Sequence, residues 1–111
     1  MNINELTVGQ LKEINGMLSN GVAPHQPYEI GANYQIRTVT FILTGRIVSV
    51  GSAEIVITDA AWIADTGRFA AAVSHQTYSE VEPYPDGVEV IVGRGTVIDA
   101  VKISKLPRIQ K

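Results

Sequence analysis

From Tyr34 onward the sequence runs in short stretches of β-branched and aromatic residues, each stopped by glycine, proline or a small polar cluster. Tyr34–Leu43 alternates in part, with Arg37, Val39, Phe41 and Leu43 on one face and Thr38, Thr40 and Ile42 on the other. Arg46–Val50 and Glu54–Thr58 follow, and Gly51-Ser52-Ala53 between them has the length and the glycine of a tight hairpin. Val88–Val92 and Thr96–Ile103 are the last two strands, broken at Gly93-Arg94-Gly95. Five short strands with glycine at their corners predict a mainly β fold, a small five-stranded bent sheet or open barrel.

The remaining segments fit around this sheet. Residues 6–18 are expected to form a helix. Thr7 and Gln10 have capping-box spacing, and Leu6 and Leu11 hold the staple positions. Leu11, Ile14 and Leu18 form one apolar stripe. Gly9 and Gly16 each weaken such a helix by roughly 1 kcal/mol, so it needs a docking surface. Residues 22–33, with Pro24, Pro27 and Gly31, read as a connector. Residues 61–87 are an insertion between the third and fourth strands. Asp65 or Thr66 is placed to cap a short helix through Ala70–Val73, and 76–87 reads as a loop ending in the Asp86-Gly87 turn. The stretch from Lys102 carries four of the nine basic residues, so 104–111 reads as a basic tail.

Composition bounds what this domain does. A length of 111 residues predicts one domain. With 45% hydrophobic and 18% charged residues, the chain is too apolar for disorder. The absence of cysteine excludes disulfides, thiolate metal sites and a cysteine nucleophile. No 18-residue apolar run and no basic n-region occur, so neither a membrane span nor a signal peptide is expected. A net charge of -2 argues against generic polyanion binding.

The order of elements resembles the Sm and Sm-like (Hfq-like) family. Val90-Ile91-Val92-Gly93-Arg94-Gly95-Thr96-Val97-Ile98-Asp99-Ala100-Val101 is similar to that family's second motif, with Arg94-Gly95 at its Arg-Gly and Ile98 and Val101 at two apolar positions. Gly45 to Ala60 resembles the first motif through its glycine, its central apolar pair and the closing Asp59-Ala60. The turn is about one residue short, and the family's turn Asp and Asn are replaced by Gly51-Ser52-Ala53-Glu54. The match covers 34–60 and 88–103. It implies a ring of identical subunits joined by edge strands, and a role for Arg94 and Gly95 in contacting nucleic acid.

Read from the residues alone, Arg94 either approaches a phosphate or base or pairs with a carboxylate such as Asp99 or Glu89. His25 and His75 lack ligand spacing and read as solvent-facing. Glu80, Glu82 and Asp86 around Pro83-Tyr84-Pro85 either bind a cation or act as acid and base, or form a solvated, proline-stiffened loop; a third reading makes Tyr84 and the prolines a rigid contact surface for a neighbouring subunit or partner. Trp62 and Phe69 are either interface anchors or the cover of one open barrel end, and Asp65 and Arg68 are expected to pair locally. Val90 and Val92 share a face of one strand, and Val97, Val101 and Ile103 of the next, which marks an apolar edge suited to pairing with a neighbour. No catalytic, phosphate-loop or metal signature is present. The expectation is a non-enzymatic, homo-oligomeric assembly protein without cofactor. It is placed in the cytoplasm or, by association with small acidic cysteine-free components, in a phage virion. An RNA- or single-strand-binding ring and a small-ligand-binding barrel are the alternatives.

Overall fold

The computed structural model describes residues 26–111, so the helix expected over 6–18 and His25 lie outside the described residues. The fold is mainly β. One antiparallel sheet holds six strands: β1 (Asn33–Thr38), β2 (Ile42–Val50), β3 (Glu54–Asp65), β4 (Glu80–Pro83), β5 (Val90–Gly93) and β6 (Val97–Lys102). One helix, α1 (Phe69–His75), lies between β3 and β4. The hydrogen-bonded order is β4-β3-β2-β1-β6, and β5 pairs with the other half of the same edge of β3. A three-residue 3-10 turn, Arg94–Thr96, joins β5 to β6. No helix among the described residues is long and apolar enough to cross a membrane.

Among the described residues the count is six strands rather than five, and two boundaries move. The stretch Tyr34–Leu43 is not one strand but the end of a hairpin. Thr38 turns the chain with its hydroxyl, which accepts from Phe41 N at 2.9 Å and donates to Phe41 O at 3.0 Å. The two turn residues Val39 and Thr40 are β-branched, so nothing in them announces a turn. The sixth strand is β4, where proline-stiffened loop was expected.

β3 also runs further than expected, to Asp65, and a bulge divides it. Thr44 faces Ala61 and Arg46 faces Thr58, so Asp59 and Ala60 together oppose Gly45. Asp59 takes the left-handed conformation at φ 50°. The extra residue shifts the alternation by one. Ile55 and Ile57 point inward before the bulge and Ala60 after it, into a core with Tyr34, Ile36, Leu43, Ile47 and Val92. Ala61 and Ile63 therefore point to the opposite face, where Ala72, Tyr78 and Val81 form a second core. The insertion is thus bound to the outside of the sheet. Tyr78 Oη reaches across to Gln35 Oε1 on β1 at 2.8 Å, and both residues are buried.

Local details correct two further expectations and show how the C-terminal stretch is held. α1 has no side-chain cap: its N-cap is Arg68, and Asp65 Oδ1 instead accepts from Gly67 N at 2.8 Å. No Asp65–Arg68 pair forms among the described residues. The basic stretch at 104–111 is bound to the sheet. Arg108 donates to Ala60 O at 2.6 Å and Tyr84 O at 2.7 Å and pairs with Asp86, while the Lys111 backbone bonds both ways with Val81.

Candidate functional site

The inward face of β3 after the bulge carries Trp62 opposite Leu43, beyond the end of the first core. The β1–β2 turn brings Phe41 beside it, edge to face with the ring centroids 6.3 Å apart. Tyr84 closes the wall from the loop after β4, which Arg108 holds through Tyr84 O. Val90 and Val92 of β5 form the floor, and Val39, Ile91 and Thr96 the opposite rim. The result is an open apolar groove of about 500 Å³. Its rim is unusually apolar for a surface: Val39 is 72% exposed, Phe41 52%, Trp62 42% and Ile91 73%.

Two of the groove's hydroxyls are already used, while Thr40, Tyr84 and the Trp62 indole make no side-chain hydrogen bond among the described residues. Thr38 Oγ1 serves the turn, and Thr96 Oγ1 donates to Gly93 O at 2.7 Å. Among the described residues, no carboxylate, histidine, lysine or arginine lines the groove. It offers apolar contact with aromatic edges. Among the described residues no cluster of three metal-ligating side chains occurs.

The candidate residues separate into different places. Trp62 and Tyr84 meet in the groove. Phe69 does not join them: it lies on the α1 side, with the Arg37 guanidinium 5.2 Å from its ring centre. Val90 and Val92 do share a face, but it is the inward one, and Val92 is in the core. Val97 and Val101 do not share a face. Arg37 pairs with Asp99 and Thr38 with Val97, so Ile98 is an extra residue in β6. Val97 consequently packs inward and Val101 turns out. His75 is exposed in the last turn of α1.

Arg94 pairs with neither Asp99 nor Glu89. Its Nη1 donates to Gly51 O at 2.6 Å, tying the 3-10 turn to the β2–β3 turn, and its guanidinium lies 5.5 Å from the Tyr28 ring centre. Gly95 is exposed beside it. Asp99 belongs to Arg37, whose Nε reaches it at 2.9 Å, and that hydrogen bond holds the Asp99 carboxyl below its usual range. Asp59 is held low in the same way, first by the hydrogen bond from Arg46 at 2.7 Å and then by Gly87 N. Burial pushes the Tyr78 hydroxyl up to about 12.

Phe41, Val39 and Ile91 are among the groove residues that sequence reasoning missed. Alternation put Phe41 and Val39 on one strand face with Leu43, and the turn that aims them at Trp62 depends on a threonine side chain. No family model, curated protein or solved structure matches the chain.

Proposed function

We propose that the protein is a non-enzymatic assembly component that joins copies of itself through the outer edges of β5 and β6. The observation that carries this reading is a contrast between edges. The outer edge of β4 is covered, because Val81 N and O both bond to Lys111. Those of β5 and β6 have no strand partner among the described residues. Uncovered edges are templates for another chain, and a fold that caps one edge while leaving two open is suited to pairing. The two edges differ, so contact between β5 of one copy and β6 of the next is head-to-tail and closes into a ring when the rotation permits. Ile98, 65% exposed, and Val101 supply apolar surface on β6.

Such an assembly is what the resemblance to the Sm and Sm-like family implies. The path β5-β3-β2-β1-β6, with a 3-10 turn linking its two ends, supports an open barrel of that kind. The proposed setting is the cytoplasm or, for a phage-encoded chain, the virion.

Native mass measurement tests the reading. The expected result is a single species at a multiple of 12.0 kDa. Ile98→Asp should return it to the monomer mass while the β signal in circular dichroism is kept, since within one copy the side chain is exposed and supports no core contact. A wild-type protein that stays monomeric at high micromolar concentration overturns the proposal.

A further inference from the structure

We propose that the groove is the docking site of this chain's own N-terminal segment, with Leu11, Ile14 and Leu18 seated against Trp62, Phe41 and Val39. This goes beyond the edge-pairing assembly and uses a different surface, the side chains of the groove rather than the strand backbones.

Three observations carry it. The first is the match of pattern to shape. Leu11, Ile14 and Leu18 stand at i, i+3 and i+7, the anchor spacing of an amphipathic helix laid in an apolar groove. Along a helix these anchors span roughly 10 Å, and a groove of about 500 Å³ is of the size that receives such side chains. The stripe contains no charge and neither does the groove lining, so docking buries no unpaired ion.

The second is the reach of the chain. The described residues begin at Gln26, and Tyr28 is fixed at the β5–β6 corner. Its ring lies against Tyr34 with centroids 5.7 Å apart and beside the Arg94 guanidinium, and Glu29 N donates to Tyr34 Oη at 2.8 Å. Arg94 follows Gly93, which lines the groove. Residues 19–25 lie between the stripe and Gln26, and seven residues extend to roughly 23 Å. The tether therefore starts at the β5–β6 corner, in a neighbouring pocket lined by Pro27, Tyr28, Arg94 and Val97, next in sequence to Gly93 and Thr96 of the groove. A short tether gives an effective concentration in the millimolar range, which favours the chain's own segment over a free partner of similar affinity.

The third is need on both sides. A helix of this length carrying Gly9 and Gly16 is unstable alone in water. The groove for its part leaves Phe41 and Trp62 52% and 42% exposed.

Trp62 is the sole tryptophan of the chain, so its emission reports on the groove directly. The experiment uses the full chain and compares wild type, Ile14→Asp and Glu13→Lys, an off-stripe change. Ile14→Asp should red-shift the Trp62 emission and raise its acrylamide quenching constant roughly twofold or more, because a docked stripe excludes water from the ring. Glu13→Lys should leave both at the wild-type value. Circular dichroism should show the same β signal in all three, since the proposal places the stripe on the groove's surface and no described strand contributes to it. The wild-type quenching constant should not change with protein concentration. Identical quenching in wild type and Ile14→Asp overturns the proposal. Protection that appears only as protein concentration rises also overturns it, in favour of a second copy in the groove. Neither result depends on the oligomer mass, which tests the edge-pairing reading separately.

Discussion

Replacing Tyr78 with Phe measures how firmly the inserted segment is locked to the sheet. Tyr78 is 1% exposed and Gln35 2%. Their bond, Tyr78 Oη to Gln35 Oε1 at 2.8 Å, joins residues 43 apart in sequence. Phenylalanine keeps the ring in the second core but leaves the buried Gln35 oxygen without this donor. Leaving a buried acceptor unpaired costs about 1–3 kcal/mol. At about 2 kcal/mol, and about 4–8 °C per kcal/mol for a domain of this size, Tm should fall by about 8–16 °C. Thermal melts followed by circular dichroism at pH 7 read this directly. Gln35→Met combined with Tyr78→Phe removes both polar partners, so the pair should cost less than the sum of the single changes by at least 0.5 kcal/mol, the low end of the roughly 0.5–3 kcal/mol seen for contacting residues. An alkaline arm adds a second readout. Burial raises the Tyr78 hydroxyl to about 12, while the unfolded chain titrates near the ordinary value of 10.0. The folded state then holds a proton that the unfolded state releases, so this contribution is complete below pH 10 and is lost as pH rises toward 12. Tyr78→Phe should lack that loss. A Tm within about 2 °C of wild type, with an unchanged alkaline limb, refutes the reasoning.

Gly45→Ala should destabilise by about 1–3 kcal/mol in urea unfolding, because a Cβ there would sit 2.8 Å from Ile57 Cδ1 and 2.9 Å from Ile57 Cβ inside the core. Asp59→Asn should flatten part of the acid limb. The hydrogen bond from Arg46 lowers the Asp59 carboxyl, so its contribution is present above the usual carboxylate range and is lost as pH falls through the folded-state value, which Tm measured between pH 2 and 5 will show. Arg94→Ala should cost about 1 kcal/mol through the lost bond to Gly51 O. If Arg94 instead reads nucleic acid, fluorescence anisotropy with a labelled RNA strand will show salt-dependent binding that the variant loses.

The parts of the fold legible in the sequence are those where local pattern and tertiary role agree. Ile55 and Ile57 alternate inward as written, Gly51 opens the β2–β3 turn, and Val90 and Val92 share the inward face of β5. The misread parts have one physical cause, an insertion or turn made by side chains that usually sit in strands. Val39-Thr40 is a two-residue turn held by the Thr38 hydroxyl, a device with no glycine or proline to signal it. Ile98 is an extra residue in β6, which separates Val97 from Val101 although their spacing is even. β4 was obscured because Pro83 ends it, yet Val81 is fully buried and paired on both sides.

The groove itself follows from the Asp59 bulge, and this explains why only half of it was visible in advance. With unbroken alternation from Ile55 and Ile57, Ala61 and Ile63 would continue the inward row and Trp62 would face outward. The extra residue reverses that assignment. Ala61 and Ile63 go to the second core, where they give the insertion a surface to bind, and Trp62 is carried to the mouth of the first. The same bulge residue fixes the opposite wall, since Asp59 Oδ1 accepts from Gly87 N at 3.1 Å and Arg108 holds Ala60 O together with Tyr84 O. One left-handed aspartate therefore sets the direction of Trp62 and the position of the loop that carries Tyr84. A sequence reading can find both aromatics, but it brings them together only if it recognises that Asp59 and Ala60 occupy a single place in the ladder.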